Sequence, residues 1–264
     1  MAARRGGVDV LGVHLDTTSY ADLLVWLDEP VDGPRARTVA FCNVHSVMTA
    51  RRDPVVARAL AAMDVATTDG MPLVWAARRL GHPAQGRVYG PDLMEMAVRR
   101  SPDRPWRHYL YGASPDVLAR LVANLRAMAP DIDIAGWHSP PYRPLTPAEE
   151  AADVAAIARS GATHVWVGLG MPKQELFVQR VADRLGGTTL LAVGAAFDMH
   201  AGVVSQAPDW IQDRGLEWAY RWAQEPTRLA SRYLVNNPLF LLLLARQLAA
   251  ARLRTVSRQA GVGR

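Results

Sequence analysis

Cysteine is nearly absent from this chain. The single thiol in 264 residues, Cys42, excludes an internal disulfide framework and fits a reducing compartment. No apolar run reaches the roughly 18 residues of a membrane span, and the basic opening MAARRGGVDVLG lacks the apolar stretch of a secretory signal. These absences predict a protein that is soluble or lies on a surface. No G-x-G-x-x-G follows a strand, which disfavours a dehydrogenase. The seven histidines are scattered, with no pair at helical ligand spacing.

Acidic charge is also scarce at one end. From Arg214 to Arg264 there are nine arginines (214, 221, 228, 232, 246, 252, 254, 258, 264) against Glu217 and Glu225, a balance of 9 − 2 = +7 where the whole chain carries +5. The body is therefore slightly acidic and the tail basic, which points to a polyanionic partner: nucleic acid, a phosphate-bearing ligand or an anionic membrane. The tail lacks the interleaved aromatics of a single-strand binder, so nucleic acid is not expected. Half of the residues are apolar, enough for a large core. One α/β domain over 1–213 with a basic helical appendage over 214–264 is expected rather than two full domains.

The most informative stretch runs from Ala162 to Glu175, ATHVWVGLGMPKQE. Thr163 to Val167 has the β-branched and aromatic content of a buried strand. Gly168 and Gly170 break it, and Pro172 suits a first helical turn. Strand, glycine turn and helix N-terminus in succession leave backbone N–H groups free at the carboxyl end of a strand, where an anion or nucleotide is held. Lys173, Gln174 and Glu175 fall in that first turn. A tight turn with solvated polar residues is the bland alternative.

The same scheme repeats along the chain. After an irregular start, helices are expected over Tyr20 to Leu27, Val47 to Arg52, Pro54 to Met63, Pro72 to Leu80, Leu93 to Arg99 and Asp116 to Met128. Another follows the capping sequence Thr146-Pro147-Ala148-Glu149, and a last one covers Leu176 to Leu185. Strands are expected over Thr38 to Cys42, Val65 to Thr67, Arg107 to Tyr111, Ile132 to Gly136 and Thr188 to Val193. Alternation of this kind implies a Rossmann-like parallel sheet with helices on both faces. Ligands then bind beyond the carboxyl ends of the strands, where Asn43, Asp69, Gly112, Gly170, Gln174 and Asp198 all lie.

These residues carry a resemblance. The chain resembles the WecG/TagA/CpsF family of bacterial glycosyltransferases from about Val8 to Tyr233. The matching segments are Thr68-Asp69-Gly70, Arg87 to Leu93 (RVYGPDL), Val167 to Glu175 (VGLGMPKQE), Gly194 to Asp198 (GAAFD) with Ala201-Gly202, Ala207 to Trp210 (APDW), Gly215 to Arg221 (GLEWAYR), Glu225 to Leu229 (EPTRL) and Arg232-Tyr233. The resemblance implies transfer of an N-acetylmannosamine-type sugar from a UDP-sugar to an undecaprenyl-diphosphate-linked acceptor sugar. It also implies a cytoplasmic enzyme peripheral to the inner face of the cell membrane.

Carried over residue by residue, Asp69 matches the proposed general base, which an acceptor hydroxyl needs because an alcohol is a poor nucleophile. Helix capping is its structural alternative. Gln174 and Asp198 match the donor pocket, with local turn hydrogen bonds as their alternative. The departing diphosphate needs a metal or cations. Asp131-Ile132-Asp133 matches the D-x-D string of metal-dependent transferases but precedes its strand and so lies at the wrong edge. No metal and no cofactor are expected. Arg221, Arg228 and Arg232, spaced by seven and four, would share one face of a helix and suit diphosphate oxygens. Lys173 and Arg87 are further candidates for the same work.

Two departures bear on the donor: Phe41 replaces a common Thr, and His45 an acidic residue. Beyond Tyr233, Val235 to Leu253 followed by arginines reads as an interfacial helix on anionic lipid. Packing on the body or on another copy in a homo-oligomer is the alternative. A noncatalytic nucleotide- or lipid-diphosphate-binding protein is the second functional class. Cys42 is expected to be a small buried core residue.

Overall fold

The computed structural model describes residues 6–262, without the side chains of residues 209, 228–233 and 254–262. Its centre is a six-stranded, all-parallel sheet. The strands are β3 (Arg37–Cys42), β4 (Val65–Thr68), β5 (Arg107–Gly112), β6 (Asp133–His138), β7 (His164–Gly168) and β8 (Thr189–Ala192), arranged in the order β4-β3-β8-β7-β5-β6. Parallel pairing brings every carboxyl end to one edge, because each crossover helix returns the chain to the opposite edge.

Alternation along each strand divides the core. Val39 and Phe41 face one layer with Leu110, Trp166 and Leu191. There they meet Leu23 and Leu27 of α1 (Tyr20–Asp28), Leu93 and Met94 of α5 (Gly90–Arg100), and Leu118 and Leu121 of α6 (Pro115–Met128). On the other face, Tyr111, Val165, Val167 and Leu190 pack on α7 (Pro147–Ser160) and α8 (Lys173–Val181). Beside them, Ala40, Cys42 and Ala66 pack on α2 (Val44–Arg52), α3 (Pro54–Ala61) and α4 (Met71–Arg79). Cys42 is fully buried there, as a core residue.

The chain start is not irregular. β1 (Gly7–Val10) and β2 (Val13–Asp16) form an antiparallel hairpin closed by Leu11 and Gly12, both at positive φ (53° and 87°). That backbone matches the strand twist. The Asp16 carboxylate accepts from Ala66 N at 2.7 Å, so the hairpin satisfies an N–H of edge strand β4.

Two short helices lie where none was expected, α9 (Ala196–His200) and α10 (Asp209–Asp213), and α11 (Glu217–Gln224) is a short separate helix within the expected helical appendage. The last helix, α12 (Pro226–Val262), starts anew after Glu225 leaves helical geometry (φ −133°, ψ 63°). Arg221 therefore sits on α11 while Arg228 and Arg232 sit on α12, and the three do not share one continuous helix. Pro226 forces the break, since it cannot donate to the preceding turn.

A second correction concerns membrane-spanning length. Leu234–Leu253 within α12 is 20 residues with mean hydropathy 1.3, long and apolar enough to cross a bilayer despite Arg246 and Arg252. One face of it nevertheless belongs to the body. Asn236, Phe240 and Leu244 are buried, and Gln247 bonds the β1–β2 hairpin at Leu11 N (2.9 Å) and Asp9 O (2.6 Å). The outward face carries Leu234, Val235, Leu241 and Leu242, each more than half exposed.

Candidate active site

A cavity of about 330 Å³ opens beyond the carboxyl ends of β4, β3, β8 and β7. Asn43, Asp69, Gly170, Gln174, Asp198 and Arg221 all line it. Residues up to 178 positions apart in sequence, counted from Asn43 to Arg221, thus meet at the one edge that parallel pairing makes available.

Asp69 follows the last residue of β4. Its own N–H and that of Gly70 both donate to Cys42 O (2.8 and 3.3 Å), which locks the turn to β3. The N-cap of α4 is Gly70, with no side-chain cap, so Asp69 does not cap that helix. Its carboxylate accepts instead from Gly90 N at 3.2 Å. Burial raises its pKa to about 7, opposed by Arg87, reinforced by Glu217 and further opposed by the Gly90 N–H and Arg221. A carboxyl titrating there suits proton abstraction near neutral pH.

Arg221 reaches the cavity from α11. Its Nε is buried and makes no hydrogen bond among the described residues. A buried guanidinium N–H without an acceptor is costly unless a ligand completes it. The side chains of Arg228 and Arg232 lie outside the described residues.

Asn43 caps α2, its Oδ1 accepting from His45 N (3.0 Å) and Ser46 N (3.3 Å), and lines the cavity from the start of that helix. Asp198 lies in α9, and its backbone carbonyl accepts from Val203 N and Val204 N, which folds the following turn against it. Gly170, at φ 76°, lines the cavity with open space where a Cβ would stand. Gln174 is buried beneath that turn. Gly170 N donates to its Oε1 (3.1 Å), while its Nε2 donates to Ala192 O (2.8 Å) and Glu175 Oε1 (3.0 Å). Both amide hydrogens are thereby engaged within the protein, so Gln174 shapes the glycine turn rather than offering donors to a ligand.

Three expected residues stand elsewhere. Gly112 (φ 126°) permits β5 to approach β7, where a Cβ would meet Gly168 O at 2.5 Å; it is not part of the cavity wall. Lys173 is exposed, its ammonium 4.1 Å from the Tyr142 ring centroid; Tyr142, not Lys173, lines the cavity. Arg87 is not a lining residue either. Its guanidinium donates to Asp69 O (2.6 Å), Gln212 Oε1 (2.5 Å) and Glu217 Oε2, and lies 3.8 Å over the Tyr89 ring. Asp133, of the D-x-D string, begins β6 at the opposite edge and pairs with Arg107 at 2.9 Å.

A family model described as the glycosyl transferase WecG/TagA/CpsF family matches residues 8–254. The chain belongs to this family. It is a glycosyltransferase of cell-surface polysaccharide synthesis, in a family that uses sugar-nucleotide donors and lipid-linked acceptors. The matched span reaches well into α12, so the C-terminal helices are part of the family's common chain.

That span also holds cavity residues that the sequence did not single out. Glu217 lines the wall and joins Arg87 to Tyr89, whose hydroxyl donates to Glu217 Oε1 at 2.8 Å. Asn236 and Asn237 line it from α12. An Asn pair in an otherwise apolar and basic run was a visible signal, since amides are poor helix formers that need a reason. The two departures, Phe41 and His45, both line the cavity as well.

Proposed function

We propose that this enzyme moves a sugar from a UDP-sugar to a sugar on a polyprenyl diphosphate, by a single inverting displacement in which Asp69 is the general base. The observation that carries this reading is the meeting of Asp69 and Arg221 in one cavity: a carboxyl whose pKa burial raises and a buried guanidinium N–H without a partner among the described residues. Asp69 takes the proton from the acceptor hydroxyl. The hydroxyl oxygen bonds to the anomeric carbon as the bond from that carbon to the diphosphate oxygen breaks, and UDP leaves with the electron pair. Attack opposite the leaving group inverts the anomeric centre. The growing negative charge on the diphosphate is assigned to Arg221, with Arg228 and Arg232 as further cations.

The donor nucleotide fits the side of the cavity made by Gly170, Asp198 and Gly194, where the glycine turn exposes backbone. The acceptor fits the side walled by α11 and α12. The exposed apolar face of α12, with Arg246 and Arg252 on the same helix, supports docking at an anionic membrane where such an acceptor resides. Phe41 and His45 bear on the sugar, since pocket groups that gain or lose a hydrogen bond discriminate strongly.

The test is to incubate the full chain with a panel of UDP-sugars and a short-chain lipid-diphosphate sugar acceptor and to weigh the products. One sugar added to the acceptor, with UDP released, is expected. Hydrolysis of the donor alone, or no reaction with any of the panel, contradicts the reading.

A further inference from the structure

Arg87 is the most heavily engaged guanidinium near the cavity, and its bonds reach in two directions. Toward the sheet, Nε donates to the backbone carbonyl of Asp69 at 2.6 Å. Toward the C-terminal helices, Nη1 donates to Gln212 Oε1 (2.5 Å) at α10 and Nη2 to Glu217 Oε2 at the first turn of α11. The second oxygen of Glu217 accepts from Tyr89, over whose ring Arg87 lies. Arg87 and Glu217 side chains are only 13% and 17% exposed, so this ion pair is shielded from solvent and salt. The Gln212 amide is held in turn by Ala207 O (2.6 Å). Arg87, Gln212 and Glu217 are 125 and 130 residues apart in sequence, so only docking of α10 and α11 can assemble the group.

We infer that Glu217 is a positioning residue: it holds Arg87 against the backbone of Asp69 and offsets that cation, so that docking of α10 and α11 sets the electrostatic environment of the Asp69 carboxylate. The inference rests on the reading of Asp69 as the base.

Two effects point the same way. Glu217 repels a negative Asp69 directly, and it neutralises Arg87, which would otherwise favour the ionised carboxylate. The other groups around Asp69 do not supply this. Arg221 of α11 favours ionisation, Tyr89 is held neutral by burial, and so is the Cys42 thiol at the end of β3. Glu175 of α8 lines the same cavity but is not among the main influences on Asp69. With α11 absent from its seat, Arg87 would face Asp69 unopposed and the carboxylate would become a weaker base.

The experiment uses the full chain labelled with carboxyl-¹³C aspartate, the Asp69 signal being assigned by its loss in Asp69→Asn. Its titration midpoint is compared in wild type, Glu217→Gln and Glu217→Ala, alongside the pH profile of kcat/KM for transfer. Both variants should lower the midpoint by about one unit, and the acid limb of the profile should move with it. Glu217→Asp, which keeps the charge, should restore the wild-type midpoint. A midpoint unchanged or raised in either folded variant overturns the inference. Full transfer by Asp69→Asn would instead overturn the base reading, while the carboxyl titration would still report the coupling.

Discussion

The backbone N–H of Gly90 donates to Oδ2 of Asp69 at 3.2 Å, while the Arg87 guanidinium donates to the carbonyl oxygen of that residue instead. The carboxylate is thus held in place without a salt bridge among the described residues, and burial lifts its pKa to about 7. A general base must be ionised, so kcat/KM should rise with pH along a limb centred near 7 and level off above it. A profile flat from pH 5 to 9 would contradict the role.

The same shift costs stability. The folded pKa lies above the ordinary 3.8, so the folded state keeps a proton that the unfolded chain releases, and stability falls as pH rises from about 4 through about 7. Asp69→Asn removes the ionising group. It should match the wild type at pH 4 and be more stable at pH 8, by roughly 1–3 kcal/mol for a partly buried group. Urea unfolding at the two pH values checks this; a variant less stable at pH 8 would contradict it.

Arg221→Ala removes a guanidinium whose Nε bonds to nothing in the described structure. Melting temperature should barely change, whereas transfer should fall by about 10²-fold or more, the scale for one lost charge-stabilising donor. Initial rates at saturating donor, paired with a thermal melt, separate the two. A large loss of stability with little loss of rate would make Arg221 structural.

Gln174→Ala should act in the opposite sense. It leaves Gly170 N and Ala192 O without their partner beneath the glycine turn. The expected loss is about 1–3 kcal/mol in urea unfolding, accompanied by weaker UDP binding as the turn loosens. Weaker binding at unchanged stability would show that the amide touches the nucleotide instead.

The two faces of α12 predict different failures. Phe240→Ala opens a void in the core under α2 and should cost about 3–5 kcal/mol. Leu241→Asp with Leu242→Asp alters only exposed positions and should leave the melt unchanged while reducing sedimentation with anionic vesicles. Equal vesicle binding by that double variant would argue against lipid docking through this face.

What could be read in the sequence was whatever depends on local pattern. The parallel strands were legible because their centres, such as Val39 to Cys42 and Val165 to Val167, are buried on both faces and so read as short apolar runs. The β1–β2 hairpin was not, because its turn is Leu11-Gly12; leucine at positive φ carries no turn signature, and here its side chain is buried. That Asp69, Asn43 and Asp198 would gather at one cavity was legible from strand-end position alone. Arg87 and Gln174 looked like ligand contacts, and only their partners, Glu217 and Ala192, show them turned inward. The place of Glu217 in the cavity wall could not be found from sequence, since its partner Arg87 is 130 positions away.

The central claim is that Asp69 moves a proton and is not needed to hold the donor. The most direct measurement compares wild type and Asp69→Asn for UDP-sugar affinity by calorimetry and for transfer to the lipid-diphosphate acceptor by mass spectrometry. The account predicts an affinity within a few-fold of wild type and transfer lowered by about 10²-fold or more. Transfer at the wild-type rate by Asp69→Asn would contradict it.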